Sequence, residues 1–116
     1  MSVADVYGSR AERALRDLVE FGGLAAELVG RGKSAYDDDR QLQLAGEAIV
    51  SRLGEAAARL PEELVTDHPD IPFRTVKGMR NLIAHAYQRV DPQVVWVTLL
   101  VAVPNFITQI VDLLGE

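Results

Sequence analysis

Arg80-Asn81-Leu82-Ile83-Ala84-His85-Ala86-Tyr87 combines a helical period with a group of polar side chains. A helix turns about 100° per residue, so with Arg74 as zero Asn81 and His85 fall within about 20° of it, Lys77 near 60° and Arg80 near 120°. Gln88 and Ala84 share this arc, while Val76, Met79, Leu82, Ile83 and Ala86 gather opposite, giving one wall for a core and one for solvent. The polar wall is basic. Between Ile71 and Val90 stand Arg74, Lys77, Arg80 and Arg89 and no Asp or Glu, in a chain of 116 residues with net charge −5. So local a reversal of charge suits an anion.

Outward from this stretch the chain reads as helices. Tyr7, Ala11, Ala14, Leu18, Phe21, Ala25 and Leu28 follow a three-four spacing through a first helix, with Gly22-Gly23 marking a bend or a close helix contact. Gly30-Arg31-Gly32-Lys33-Ser34 is an interhelical loop, because a phosphate-binding loop needs a Gly where Glu27 stands and a strand before it. Asp37-Asp38-Asp39 gathers carboxylates at the start of a second helix, where the macrodipole favours them. That helix runs to about Leu60, buries Leu42, Ala45, Ile49, Leu53 and Ala56, and stops at Pro61. A connector to Pro72 holds a helical turn around Glu62 to Thr66 and an exposed His68 with no assigned role.

The third helix starts near Pro72, and Asp91-Pro92 supplies an N-cap and a first-turn proline for the fourth. Val94 to Val101 leave that helix almost no polar side, and Pro104 should kink it. A helix apolar all round needs cover all round, so a homodimer interface is the natural place for the surplus. The expected fold is all-α, an antiparallel bundle of four to five helices forming one domain over residues 1–116.

Composition narrows the function classes. Cysteine is absent, which excludes disulfides and thiolate zinc sites. Residues Met1 to Arg16 lack the apolar core of a signal peptide, which points to a cytoplasmic protein. The run Val94 to Val103 is short of the ~20 residues of a membrane span and reads as a buried helix with no membrane role. Acidic balance argues against promiscuous nucleic-acid binding and leaves room for one local basic site.

The ordered set Gly54-Glu55-Ala56, Ile71-Pro72, Gly78-Met79-Arg80-Asn81, His85-Ala86-Tyr87, Asp91 and Val95-Trp96 resembles the HEPN superfamily, and within it the HepT-like toxins. The likeness covers roughly the C-terminal two thirds, with Phe73 standing where the family commonly has Trp. The resemblance implies a dimeric, metal-independent ribonuclease with no cofactor, the toxin of a type VII-like toxin-antitoxin pair. Its partner would be a nucleotidyltransferase antitoxin of the MntA type that adenylylates Tyr87, and its substrate an RNA, messenger or transfer.

The residues bear that chemistry. His85, titrating near neutrality, is the candidate base for the 2′-OH of RNA, whose attack on the adjacent phosphorus leaves a cyclic phosphate and a 5′-hydroxyl. Arg80 would stabilise the charge growing on the phosphorane oxygens, Asn81 would orient the imidazole or a phosphate oxygen, and Arg74 and Lys77 are assigned to RNA phosphates. Arg80 and His85 lie about 140° apart around one straight helix and about 7.5 Å apart along it, so a two-fold axis is needed to bring an Arg and a His from each chain into one cleft. Gly78 and Ala84 are small enough to permit that approach. Two other readings fit the same residues: a noncatalytic HEPN subunit that binds nucleotide or assists a nucleotidyltransferase, and a plain helical dimerisation module.

Overall fold

The computed structural model describes residues 1–84 and 90–115, and those residues form helices joined by short turns with no strand among them. In chain order they are α1 (Val3–Tyr7), α2 (Ser9–Gly30), α3 (Lys33–Asp38), α4 (Arg40–Ala58), α5 (Glu62–Asp67), α6 (Phe73–Ala84), α7 (Pro92–Val97), a π-helical turn (Thr98–Ala102) and α8 (Val103–Leu114). Helix α4 is the centre of the bundle, packing on α6 along one side and on α2 along another, and α2 also packs on α8. The core is built from Leu15, Leu18, Tyr36, Leu53, Leu64, Phe73, Leu99 and Ile110, all essentially without solvent contact. This is an all-α, HEPN-like bundle.

Capping chemistry sets most helix boundaries. Ser2 and Asp5 form a reciprocal capping box on α1, Asp39 accepts from the Gln41 amide at the start of α4, and Asp91 accepts from the Gln93 amide with Pro92 in the first turn of α7. Gly8 at φ +100° and Gly32 at φ +92° break the chain where an L side chain would be strained. The first of these corrects the sequence reading: Tyr7 belongs to a separate short helix, not to the seam of α2. Gly22 is the close contact expected of the Gly22-Gly23 pair, since a Cβ there would lie 2.4 Å from Ile107 Cγ1 of α8.

Two more expectations shift. Asp37 and Asp38 end α3 rather than open α4, and Asp37 instead accepts from Lys33 Nζ at 2.7 Å and Gln93 Nε2 at 2.9 Å. The buried seam of α4 is Gln43, Gly46, Val50, Leu53, Gly54, Ala56 and Ala57, about one residue on from the apolar set, with Ala45 exposed. Gln43 can be buried because its amide donates to the carbonyls of Tyr36 (3.1 Å) and Asp37 (3.2 Å), so a polar residue occupies the core without an unpaired group.

The last helix is continuous from Pro92 to Leu114, long and apolar enough by length and composition to cross a membrane, so the run does not end at Pro104 as the sequence suggested. Its Val95, Trp96, Leu99, Val103, Phe106 and Ile110 face the core, while Val94, Val97, Leu100 and Val101 remain 45–56 % exposed. Only one face is therefore buried. Just ahead of Pro104, whose ring cannot donate, the Val103 amide reaches back five residues to the Thr98 carbonyl in a π turn.

Candidate active site on helix α6

Helix α6 starts after Ile71-Pro72, whose proline cannot donate and does not need to at this position. Phe73 and Val76 are buried and Met79, Arg80 and Ile83 half-buried, so these five define the packed side. Arg74, Lys77, Gly78 and Asn81 are exposed on the other. The basic wall of the sequence thus divides. Arg80 rises from the side of α6 that touches α4, and Arg74, Lys77 and Asn81 face solvent.

The crossing of α4 and α6 explains how a charged residue comes to lie there. A Cβ on Gly54 would sit 2.7 Å from Arg80 Cβ, 2.8 Å from its amide nitrogen and 3.1 Å from its Cα, so the two backbones meet where position 54 has no side chain. Glycine inside a helix normally weakens it by about 1 kcal/mol, and here it lets the Arg80 backbone seat against α4. The Gly54-Glu55-Ala56 segment was legible as a motif, but its task as the seat of Arg80 was not. Among the described residues Arg80 forms no ion pair, which leaves its guanidinium available to an anion.

Arg74 is not free in the same sense. It donates to Glu62 of α5 in a short, exposed ion pair that the sequence did not indicate. With Lys77, this pair borders an open cleft of ≈ 260 Å³ between the end of α4 and α6, floored by Ala57, Leu60, Val65 and Phe73. An exposed pair of this kind is worth about 0–1 kcal/mol, so a phosphate can displace Glu62 from Arg74 at little cost. Behind α6 a small apolar cavity of ≈ 60 Å³ is lined by Leu53, Val76, Met79, Ala102, Val103 and Phe106. Gly78 has nothing within 4 Å of where a Cβ would be, so its outer surface is open.

His85 and Tyr87, with Ala86, Gln88 and Arg89, lie outside the described residues, as do the side chains of Leu82 and Ala84. The structure places what borders them. On one side stands Asn81 on α6, on the other Val90 and the Asp91 cap of α7. The start of α7 is fastened by Tyr36, whose buried hydroxyl donates to the Pro92 carbonyl at 2.8 Å, and by the Gln93 amide on Asp37. Burial and the nearby Glu47 push the Tyr36 phenol above its ordinary pKa, which keeps it a donor. No group of three His, Cys, Asp or Glu is disposed to hold a metal ion among the described residues.

An all-α HEPN-like bundle that presents an Arg-Asn pair on a helix ahead of His85 defines a class. The chain belongs to the Ribonuclease HepT-like family, whose model matches residues 12–113. It is 30 % identical over 99 residues to the "Probable ribonuclease HepT" of Thermococcus cleftensis, an alignment covering 81 % of this chain and 90 % of that protein. Two further relatives are named as RNases. One, from Caldanaerobacter subterraneus subsp. tengcongensis, is 32 % identical over 55 % of this chain and 57 % of its own length. The other, from Methanocaldococcus jannaschii, is 36 % identical over 60 % of this chain and 58 % of its own length. No solved structure matches the chain.

Proposed function

We propose that this chain is the ribonuclease toxin of a toxin-antitoxin pair, a metal-independent endonuclease working as a homodimer in the cytoplasm and silenced by adenylylation of Tyr87. The observation that carries the reading is the seat of Arg80: α4 gives up a side chain at Gly54 to receive the backbone of Arg80, whose guanidinium has no ion pair among the described residues, at the head of the Arg-Asn-x-x-x-His motif. Membership of the HepT-like ribonuclease family supports it.

In the proposed reaction the His85 imidazole takes the proton of a ribose 2′-OH. The 2′-oxygen bonds to the adjacent phosphorus, and the bond from phosphorus to the 5′-oxygen breaks. The leaving oxygen takes a proton from imidazolium or water, giving a 2′,3′-cyclic phosphate and a 5′-hydroxyl. Arg80 holds the phosphorane oxygens, Asn81 orients the imidazole or a phosphate oxygen, and Arg74 and Lys77 bind flanking phosphates. The four apolar residues exposed on α7 and the π turn, together with the open surface at Gly78, support a second copy that completes the cleft.

In the silencing step the Tyr87 phenolic oxygen bonds to the α-phosphorus of ATP on the nucleotidyltransferase partner. Pyrophosphate leaves and the phenolic proton passes to a base. The added phosphate competes with RNA for Arg80.

The test is cleavage of a labelled RNA in excess chelator, with the ends identified as cyclic phosphate. His85→Ala and Arg80→Ala should each abolish cutting while the fold and dimer persist. Undiminished cutting by either variant removes the assignment, and labelling of Tyr87→Phe with AMP by the partner enzyme removes Tyr87 as the modified residue.

A further inference from the structure

We infer that a second anion site, formed by Arg10, Arg13 and Arg59, carries RNA backbone phosphates alongside the α6 site; this rests on the ribonuclease reading above. These three arginines line an open cleft of ≈ 300 Å³ between α2 and the end of α4. Arg10 and Arg13 stand three residues apart on α2, hence on one face of that helix. Arg59 caps α4 and is fixed by an ion pair from Nη2 to Asp17 Oδ2 at 2.7 Å.

Three observations set this cleft apart from a random scatter of surface charge. The chain is acidic at −5, yet here three guanidiniums face one concavity with Asp17 as the one carboxylate bonded to them among the described residues. Arg10 and Arg13 make no ion pair among the described residues, so their charge is uncommitted. The end of α4 also borders both clefts, with Ala57 and Ala58 lining the Arg74–Lys77 cleft and Arg59 lining this one. The end of α4 is therefore a ridge with cations on both flanks. Among the residues that line the two clefts and their ion-pair partners, Arg10, Arg13, Arg59, Arg74 and Lys77 stand against Asp17 and Glu62.

Two cationic clefts that border one helix end favour a flexible polyanion over a compact acidic protein surface. A single strand can follow the ridge from one cleft to the other, and guanidiniums bind successive phosphates without reading bases. The site would fix where a strand lies relative to Arg80 and would add affinity that is independent of sequence.

The test uses the full chain carrying His85→Ala, so that RNA stays intact, and measures binding of a labelled single-stranded RNA by fluorescence anisotropy over a salt series. Arg10→Gln with Arg13→Gln should weaken binding and lower the steepness of log K against log salt by about 1.4, or ~0.7 for each phosphate no longer neutralised. Replacing both by Lys should restore most of the steepness. Unchanged affinity and steepness in the Gln protein overturn the inference while the ribonuclease reading stands. A deficit in the Lys protein equal to that in the Gln protein also overturns it, because charge is then not what acts. If the Gln protein loses RNA as expected but the unsubstituted chain cuts none, the second site stands and the ribonuclease reading falls. Absence of RNA binding in every form overturns the inference, as does selective loss of an acidic protein partner.

Discussion

Gly54 and Arg80 are in backbone contact across the α4–α6 crossing, so closely that a Cβ on residue 54 would stand 2.8 Å from the Arg80 amide nitrogen. Backbone cannot swing aside as a side chain can. The position of Arg80 is therefore set by what residue 54 lacks.

Gly54→Ala should destabilise the chain by about 1–3 kcal/mol through overpacking, outweighing the roughly 1 kcal/mol that alanine normally gains in a helix. RNA cleavage should fall further than the unfolded fraction accounts for. Gly23→Ala, with nothing within 4 Å, is the control and should stabilise by about 0.5–1 kcal/mol. Urea denaturation of both variants, with single-turnover cleavage, decides the matter.

Arg80→Lys keeps the charge and loses the planar fork. If bidentate contact with the phosphorane is what Arg80 supplies, the cleavage rate should drop by about 10²- to 10³-fold with RNA affinity little changed. Equal rates in the Lys and Arg proteins would reduce Arg80 to a point charge.

Val97→Lys with Val101→Lys places two cations on a surface where the native side chains are 56 % and 52 % exposed, so the protomer should remain folded. If this face meets a second copy, sedimentation should show a monomer and RNA cleavage should disappear with the composite cleft. A dimer that survives both substitutions places the interface elsewhere.

Tyr7 donates to Asp67 Oδ2 at 2.6 Å, and this hydrogen bond, with burial and the Asp67 charge behind it, pushes the phenol up to about 12. A raised phenol favours the folded chain while it is protonated. The contribution is complete below pH 10 and fades as pH climbs from 10 to about 12. The urea midpoint of the wild-type chain should fall over that interval, and that of Tyr7→Phe should fall less.

Asp37 gives the opposite slope. Its hydrogen bond from Lys33, then that from Gln93, hold its carboxyl below 3.8, so its contribution is present above that value and is lost as pH falls through its lowered pKa. Asp37→Asn should flatten the acid limb of the stability profile measured by denaturation between neutrality and that range.

Much of this was readable from residues in order. Pro72, Asp91 and Pro92 located the starts of α6 and α7 because capping and proline chemistry are local. The split at Gly8 was hidden inside an intact three-four spacing, since a periodic count does not register one left-handed residue. The seam of α4 came out displaced because Gln43 is polar by type and buried by virtue of two carbonyls from α3, a tertiary fact. The Glu62 partner of Arg74 and the arginine cleft of α2 depend on helices meeting from distant parts of the chain. Arg80, Asn81, Arg74 and Lys77 were legible as residues, whereas their division between a packed and an open side was not.

The fastening of Pro92 by Tyr36 and of Gln93 by Asp37 has its counterpart in the seat of Arg80 on Gly54. These contacts on either side of the motif come from residues 36–54, which leave the ribosome before it. A product truncated just short of Pro92 would carry Arg80, Asn81, His85 and Tyr87 and keep the Gly54 contact at Arg80, but lack the Tyr36 and Asp37 contacts to Pro92 and Gln93. On the proposed reading, synthesis of the final helix is the step that arms the chain.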